Sequence, residues 1–316
     1  MVTALVCTRN RGSSVTATIL TLLANTHPNF EVLVIDQSVD THTTQAIQPL
    51  LTDARLRYVP QDARGLGVAR NLGLAEARGE IIAMTDDDCE APPHWLETMA
   101  AIFENNPRVA VAFCNVNAAP HDTSAGFIPS YRRSGCKLLL SSLDKCAARG
   151  IGAGIAVNRK SVLALGGFDE MLGAGAHFPS CEDGDIAVRA LLQGYYVYET
   201  DIVAVEHFGF RTWEEGRSLA RRDWLGIGAS YVKPLKCGYW YFAIVPAYEL
   251  VCNAIWPMIW DLLRLRKPQG FGRVTAFIQG FMQGWRTPVD PKTLLFRSTG
   301  VNSTENTPFL PASEVS

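Results

Sequence analysis

The chain opens with short, nearly continuous apolar runs separated by segments of helical spacing. "VTALVCT" (2–8), "FEVLVID" (30–36), "LRYVPQ" (56–61) and "EIIAMTD" (80–86) read as strands. "VTATILTLLANT", which Ser13 and Ser14 are placed to cap, reads as a helix, and so does "GLGVARNLGLAEARG" (65–79), entered through glycines. "PPHWLETMAAIFENNP" (92–107) has the spacing of an amphipathic helix, and "VAVAFCNVN" (109–117) follows as a strand. "GIGAGIAVNRKSVLALGGFDE" (150–170) reads as strand, helix and Gly-Gly turn. "CEDGDIAVRALLQGYYVYE" (181–199) reads as an acid-rich helix start, a helix ending near Gly194, and a strand. Within 118–150, where the pattern is weak, "HDTSAGFIPSYRRSGC" (121–136) reads as a mobile loop. The alternation predicts an α/β class: a mixed, mostly parallel, Rossmann-like sheet flanked by helices. Ligands of such sheets bind beyond the carboxyl ends of strands, and Thr8, Asp36 and Asp86 all close strands.

After residue 230 the pattern changes. "GYWYFAIVPAYELVCNAIWPMIWDLL" (238–263) is long enough to cross a bilayer, but Glu249, Asp261, Pro246 and Pro257 interrupt it. "RLRK" (264–267) and "VTAFIQGFMQGW" (274–285) follow. Aromatic-rich apolar segments beside basic residues suit the surface of a membrane, so 238–285 is expected to make a peripheral membrane contact. Internal packing or a homo-oligomer contact is the alternative. The tail from 298 is polar and contains proline, and is expected to be disordered.

Of the 316 residues, 47% are hydrophobic and 19% charged, which predicts a sizeable core. The net charge of −2 argues against a general nucleic-acid binder, so an anionic ligand needs a local site or a metal. Eight scattered cysteines without a CxxC pair point to reduced thiols in a cytoplasmic protein, and the N-terminus reads as a first strand.

The chemistry concentrates in acids. Asp86, Asp87 and Asp88 are costly together unless solvated or matched by positive charge. If the strand stays extended, Asp86 and Asp88 face the same way and Asp87 the other, so the outer pair can ligate one hard cation. The bland alternative is a solvated turn before "APPHW". In "CEDGD" (181–185), Glu182, Asp183 and Asp185 open a helix, where the dipole favours acids in any case; the functional reading is a general base. Glycines in "GAGIA" (152–156) suit close strand packing, or the close approach of backbone to a ligand.

The ordered set "VCTRNRG" (6–12), "FEVLVIDQS" (30–38), "GLGVARNLGLAEARGEIIAMTDDDCEAPPHWL" (65–96) and "GGFDEMLGAGAHFPSCEDGDIAVRALLQGYYVYETDIVAVEHFGFR" (166–211) resembles the family-2 glycosyltransferases of GT-A fold. The resemblance implies a metal-dependent, inverting transfer from a nucleotide-sugar, a UDP-sugar by the family's habit, to a saccharide, lipid-linked saccharide or lipid acceptor. It implies that Thr8, Arg11, Asp36, Arg70, Asp86 and Asp87 bind the nucleotide-sugar. Asp86 and Asp88 match the DxD that holds Mn²⁺ or Mg²⁺, with His207 beside the metal and pyrophosphate. Asp183 matches the catalytic base, and Glu182 would bind acceptor. Gln37 stands where relatives commonly carry a second acid at the base. The organisation that follows is a domain over 1–230, with a nucleotide-sugar half (1–117) and an acceptor half (118–230), an apolar helical region over 231–297, and a tail over 298–316. Location is expected to be cytoplasmic, peripheral on the inner face of the cell membrane. Two other classes fit less well: an inactive nucleotide-sugar-binding or assembly subunit, and a nucleotidyltransferase, which would present a Gly-rich loop where "CTRNRGSS" has one glycine.

Overall fold

The structure is a computed structural model that describes residues 1–265 and 270–298. Arg266 and Lys267 of the basic run, and the tail from 299, lie outside the described residues. The strands are β1 (Val2–Thr8), β2 (Phe30–Asp36), β3 (Leu56–Pro60), β4 (Ile81–Asp86), β5 (Cys89–Glu90), β6 (Val109–Ala118), β7 (Gly126–Phe127), β8 (Lys137–Leu139), β9 (Ile155–Asn158), β10 (Tyr196–His207) and β11 (Arg211–Thr212). The α-helices are α1 (Val15–Leu23), α2 (His42–Ile47), α3 (Leu66–Glu76), α4 (Trp95–Asn105), α5 (Arg159–Ala164), α6 (Glu182–Leu192), α7 (Trp213–Lys236), α8 (Ile244–Leu250), α9 (Trp256–Leu263) and α10 (Phe271–Arg286).

The main sheet runs β3-β2-β1-β4-β9-β6-β10-β5, with β8 also on β10. The β3-β2-β1-β4 half is parallel, whereas β9 inserts antiparallel between β4 and β6. Period-two alternation gives each strand two buried faces. Ala4, Val6, Val32 and Val34 meet Ile19 of α1 and Trp95 of α4 on one side. Leu5, Leu33, Ile35 and Ile82 meet Leu74 of α3 and Ile186 of α6 on the other. Each such side chain contributes about 1.5–3 kcal/mol when fully buried.

Several local expectations change in the structure. Ser14 does not cap α1; its hydroxyl donates to the Arg11 carbonyl at 2.7 Å, because a 3₁₀ turn over Gly12–Ser14 precedes the helix. The stretch 121–136 is not loop throughout, since β7 lies within it and pairs with β11; just beyond, β8 pairs with β10 and Ser142–Ala147 form a 3₁₀ helix with a capping box between Ser141 and Asp144. A helix, α2, also joins β2 to β3, where the polar segment "HTTQAI" carries too weak an apolar period to announce it.

The region beyond β11 is helical. α7 begins at a capping box, with Thr212 and Glu215 satisfying each other's backbone N–H, and runs through residue 230 without a break. α10 packs along it at backbone distance. A Cβ on Gly280 would lie 2.0 Å from the Leu225 carbonyl oxygen, and one on Gly228 would lie 2.2 Å from that of Phe277, so only glycine permits this approach. A buried ionic cluster ties the layer to the core. Lys233 Nζ lies 2.6 Å from both Asp169 and Asp185, and Arg189 Nε donates to Asp185 at 2.7 Å. Trp240–Leu263 forms a helical stretch of 24 residues with a π-helical segment at Val251–Ile255, long and apolar enough by length and composition to cross a membrane.

Candidate active site

The strand ends converge as the sheet requires. Cys7 of β1 stands opposite Asp86 of β4, which sets the β1–α1 turn beside the acid triplet. The chain leaves extended geometry at Asp86 and turns through Asp87 and Asp88 into β5. This corrects the expectation that Asp87 faces away: all three carboxylates line one cleft of about 810 Å³. Thr8 Oγ1 donates to Asp87 Oδ2 at 2.7 Å. Arg11 bridges the next two acids, Nε to Asp87 at 2.9 Å and Nη2 to Asp88 at 2.7 Å. The Asp86 carboxylate lines the cleft and makes no hydrogen bond among the described residues. Burial raises the pKa of Asp86 and of Asp87 above the usual carboxylate value, against the pull of Arg70 and Arg11 respectively.

His207 reaches the triplet from the far end of the chain. β10 pairs antiparallel with β5, placing His207 opposite Cys89, and Phe208 N donates to the Asp88 carbonyl at 2.9 Å. His207 Nδ1 donates to the Pro129 carbonyl at 2.7 Å, which aims Nε2 at Asp88 Oδ1, 3.1 Å away. Burial opposes charge on the ring and on Asp88, yet their mutual hydrogen bond prevails: the histidine pKa is raised and that of Asp88 lowered.

The same groups form a candidate cation site. Ligand atoms of Asp88, Cys89 and His207 lie within 4.8 Å of one another, and the unbonded Asp86 carboxylate faces the same cleft. Burial holds the Cys89 thiol protonated, so it is a poor ligand. Two carboxylates and an imidazole whose other nitrogen is fixed by a carbonyl fit Mn²⁺ or Mg²⁺. The residues present therefore suit the ion, provided Arg11 moves off Asp88.

The second acidic motif arrives on α6. Cys181, left-handed at φ 77°, turns the chain into the helix. Glu182 points inward and accepts from Arg70 Nη1 at 3.0 Å. Arg70 thus pairs with Glu182 and not with Glu76, which holds Arg57. Asp183 lines the cleft. Gly152 fits between the two: a Cβ there would lie 2.7 Å from Arg70 Nη2 and 3.3 Å from Asp183 Oδ2.

Asp36 is buried with both oxygens engaged, Oδ1 by the Ser38 N–H and hydroxyl and Oδ2 by Tyr58. It is not among the cleft residues, whereas Gln37 is. Gln37 holds the entry to α3: its amide donates to the Gly65 carbonyl at 3.1 Å and its oxygen accepts from Gly65 N at 3.0 Å. Arg64, Lys145, Arg149 and Tyr231 also line the cleft and were missed in the sequence. They lie in loops, turns and helices whose pattern carries no chemical signature.

The apolar C-terminal segment touches the site. Glu249 of α8 is buried, lines the cleft and pairs with Arg149, and Asn253 donates to it at 3.0 Å. The opposite side of the same stretch is open, with Ile244, Val251, Trp256 and Leu263 exposed.

Comparison with known proteins agrees with this geometry. The model of "Glycosyl transferase family 2" matches residues 3–163. A glucosyl-dolichyl phosphate glucuronosyltransferase of Haloferax volcanii is 31% identical over 109 residues, covering 34% of this chain and 35% of that protein. The chain thus spans about a third of that relative's length. Among solved structures, the mannosyltransferase PcManGT of Pyrobaculum calidifontis, in complex with GDP-Man and Mn²⁺, superposes with a TM-score of 0.62 at 19% identity, covering 90% of this chain and 87% of that one. S. aureus TarS 1-349 in complex with UDP gives 0.54 at 18% identity, covering 73% and 65%. These likenesses show the fold, which is of GT-A type. With the family model over half its length and the fold to match, the chain belongs to glycosyl transferase family 2.

Proposed function

We propose that the protein transfers a sugar from a nucleotide-sugar, a UDP-sugar in the simplest reading, to a hydroxyl of a saccharide, lipid-linked saccharide or lipid, with inversion at the anomeric carbon. One observation carries the reading: Asp86, Asp88 and His207 share a single cleft with Asp183, although they come from three distant segments. Asp86, Asp88 and His207 would hold Mn²⁺ or Mg²⁺, which when bound offsets charge on the departing diphosphate. Solved neighbours in complex with GDP-Man and Mn²⁺ and with UDP support the donor class.

The chain's own groups do the rest. Thr8 fixes Asp87, Arg11 offers its guanidinium to phosphate once released from Asp88, and Gln37 with Arg64 borders the place for the base. Asp36 acts at one remove, holding the β2 end through Ser38 and Tyr58. Asp183 takes the proton from the acceptor hydroxyl as that oxygen attacks the anomeric carbon and the nucleoside diphosphate departs. One displacement turns an α-linked donor into a β-linked product. Glu182 acts through Arg70, fixing the floor below the sugar.

The open apolar sides of Trp240–Leu263 and of α10 would rest on the inner membrane face, with Arg264 stacked 4.7 Å over the Trp260 ring and Arg273 and Arg286 exposed on α10. Burial of Glu249 against Arg149 favours a peripheral contact over a span. The test is a donor screen with and without Mn²⁺, scored by calorimetry and by released nucleoside diphosphate, with product configuration from NMR. Metal-dependent binding of one sugar nucleotide and a product of opposite anomeric configuration support the proposal. Release of pyrophosphate, or retention of configuration, overturns it.

A further inference from the structure

The cleft has a second charged region that the donor reading leaves unused. Lys145, in the 3₁₀ helix Ser142–Ala147, is 4% exposed and lines the cleft. Its ammonium has no hydrogen bond and no ion pair among the described residues. Lysines this buried are normally paired, and this unpartnered Nζ is not sealed off but opens to the cleft. Tyr231 of α7 is 5% exposed, lines the same wall, and its hydroxyl also has no hydrogen-bond partner among the described residues. Burial keeps that phenol protonated, so it remains a donor. Arg149 stands beside them, half-exposed, its charge matched by Glu249. The group therefore carries one uncompensated positive charge, that of Lys145.

This region is distinct from the acid triplet. Lys145 is a charged neighbour of Cys181 at the start of α6, and Tyr231 lies near Cys181, Asp183 and, on α8, Glu249. The charged neighbours of Asp86, Asp87 and Asp88 are instead Arg11, Arg70 and His207. An anion held by Lys145 would thus lie on the side from which an acceptor approaches Asp183. The wall behind it is α8, which turns Glu249 inward and Ile244 and Tyr248 outward, with Val251 exposed just beyond it. Chain attached to that anion has an apolar surface at hand.

We propose that Lys145, with Arg149 and Tyr231, is a phosphate subsite for the acceptor, and that the acceptor is a saccharide joined to lipid through phosphate. This rests on the glycosyl-transfer reading and narrows its acceptor class. The phosphate accepts from the Lys145 ammonium, the free N–H groups of Arg149 and the Tyr231 hydroxyl, while the attacking hydroxyl faces Asp183.

The test titrates the full chain with farnesyl phosphate, farnesol and inorganic phosphate by calorimetry, and with UDP and Mn²⁺ in parallel. Farnesyl phosphate is expected to bind. Lys145→Met should weaken it roughly 10- to 100-fold, the size of a lost charge-assisted hydrogen bond. Lys145→Arg should restore it to within about threefold, and Tyr231→Phe should cost about three- to tenfold. UDP affinity should be unchanged in all three variants, which also certifies their folding. Undiminished farnesyl phosphate binding by Lys145→Met overturns the subsite, as does parallel loss of UDP. Inorganic phosphate binding as tightly as farnesyl phosphate, or farnesol matching it, overturns the lipid-phosphate assignment. Failure of the wild-type chain to bind any sugar nucleotide overturns the donor reading while leaving the farnesyl phosphate result intact.

Discussion

Arg70 Nη1 donates to Glu182 Oε1 across 3.0 Å, joining residues 112 positions apart at the floor of the cleft. Burial raises the Glu182 pKa from 4.5 to about 7, and Arg70 only partly offsets it. An acid whose folded pKa exceeds its unfolded one contributes stability that is fully present below the unfolded value and lost as pH rises through the folded value. For Glu182 the window runs from pH 4.5 to about 7. Melting temperature of metal-free wild type relative to Glu182→Gln should therefore decline across that window. Parallel curves for the two proteins would contradict this account.

Arg11 occupies the acid cluster that the cation needs, 2.9 Å from Asp87 and 2.7 Å from Asp88. Arg11→Ala should raise Mn²⁺ affinity roughly three- to tenfold in the absence of nucleotide, the scale of a partly exposed ion pair. UDP affinity should fall in the same variant, because the guanidinium no longer meets phosphate. Calorimetry with each ligand separately reads both signs, and equal Mn²⁺ affinity in the two proteins would show that Arg11 does not compete.

Asp183→Asn should reduce turnover by about 10²–10⁴, the usual worth of general-base assistance, with UDP affinity intact. A variant that keeps most of its turnover would move the base elsewhere, with Asp223 the next carboxylate in the cleft.

Lys233 is buried between Asp169 and Asp185. Lys233→Met leaves Asp169 without its cation and Asp185 with Arg189 alone, and should cost about 3–5 kcal/mol in urea unfolding. Because Asp185 sits on the helix that carries Asp183, turnover should also fall at denaturant-free conditions. Wild-type stability in this variant would mean the cluster is neutral to the fold.

Trp256 and Leu263 lie on the exposed apolar side beyond the cleft. Changing both to serine should reduce co-sedimentation with vesicles of phosphatidylcholine and phosphatidylglycerol, without lowering the melting temperature. Binding should also weaken with salt, since the arginines contribute through a screened field. Full retention on vesicles would assign this side to contact between protein copies.

The amino-acid sequence by itself determined the alternation of strands and helices over the first half, because buried strands and amphipathic helices leave periods of two and 3.6 that need no partner to be read. It also determined the chemical inventory: the triplet at 86–88, Glu182, Asp183, Thr8, Arg11, Arg70 and His207, which the structure brings to one cleft. Tertiary structure decided which of them face it. Asp36 and Asp86 both close strands, yet Ser38 and Tyr58 take the oxygens of the first while those of the second stay free. It decided that β9 runs antiparallel, a matter of which strands meet and not of their own pattern. It placed Glu249, at sequence level a mere interruption of an apolar run, against Arg149 in the cleft, and left Lys145 buried without a counter-charge. Periodicity records only how each segment divides between core and water. Pairing of charges across a hundred residues depends on where the segments finally lie, and that is a property of the packed chain.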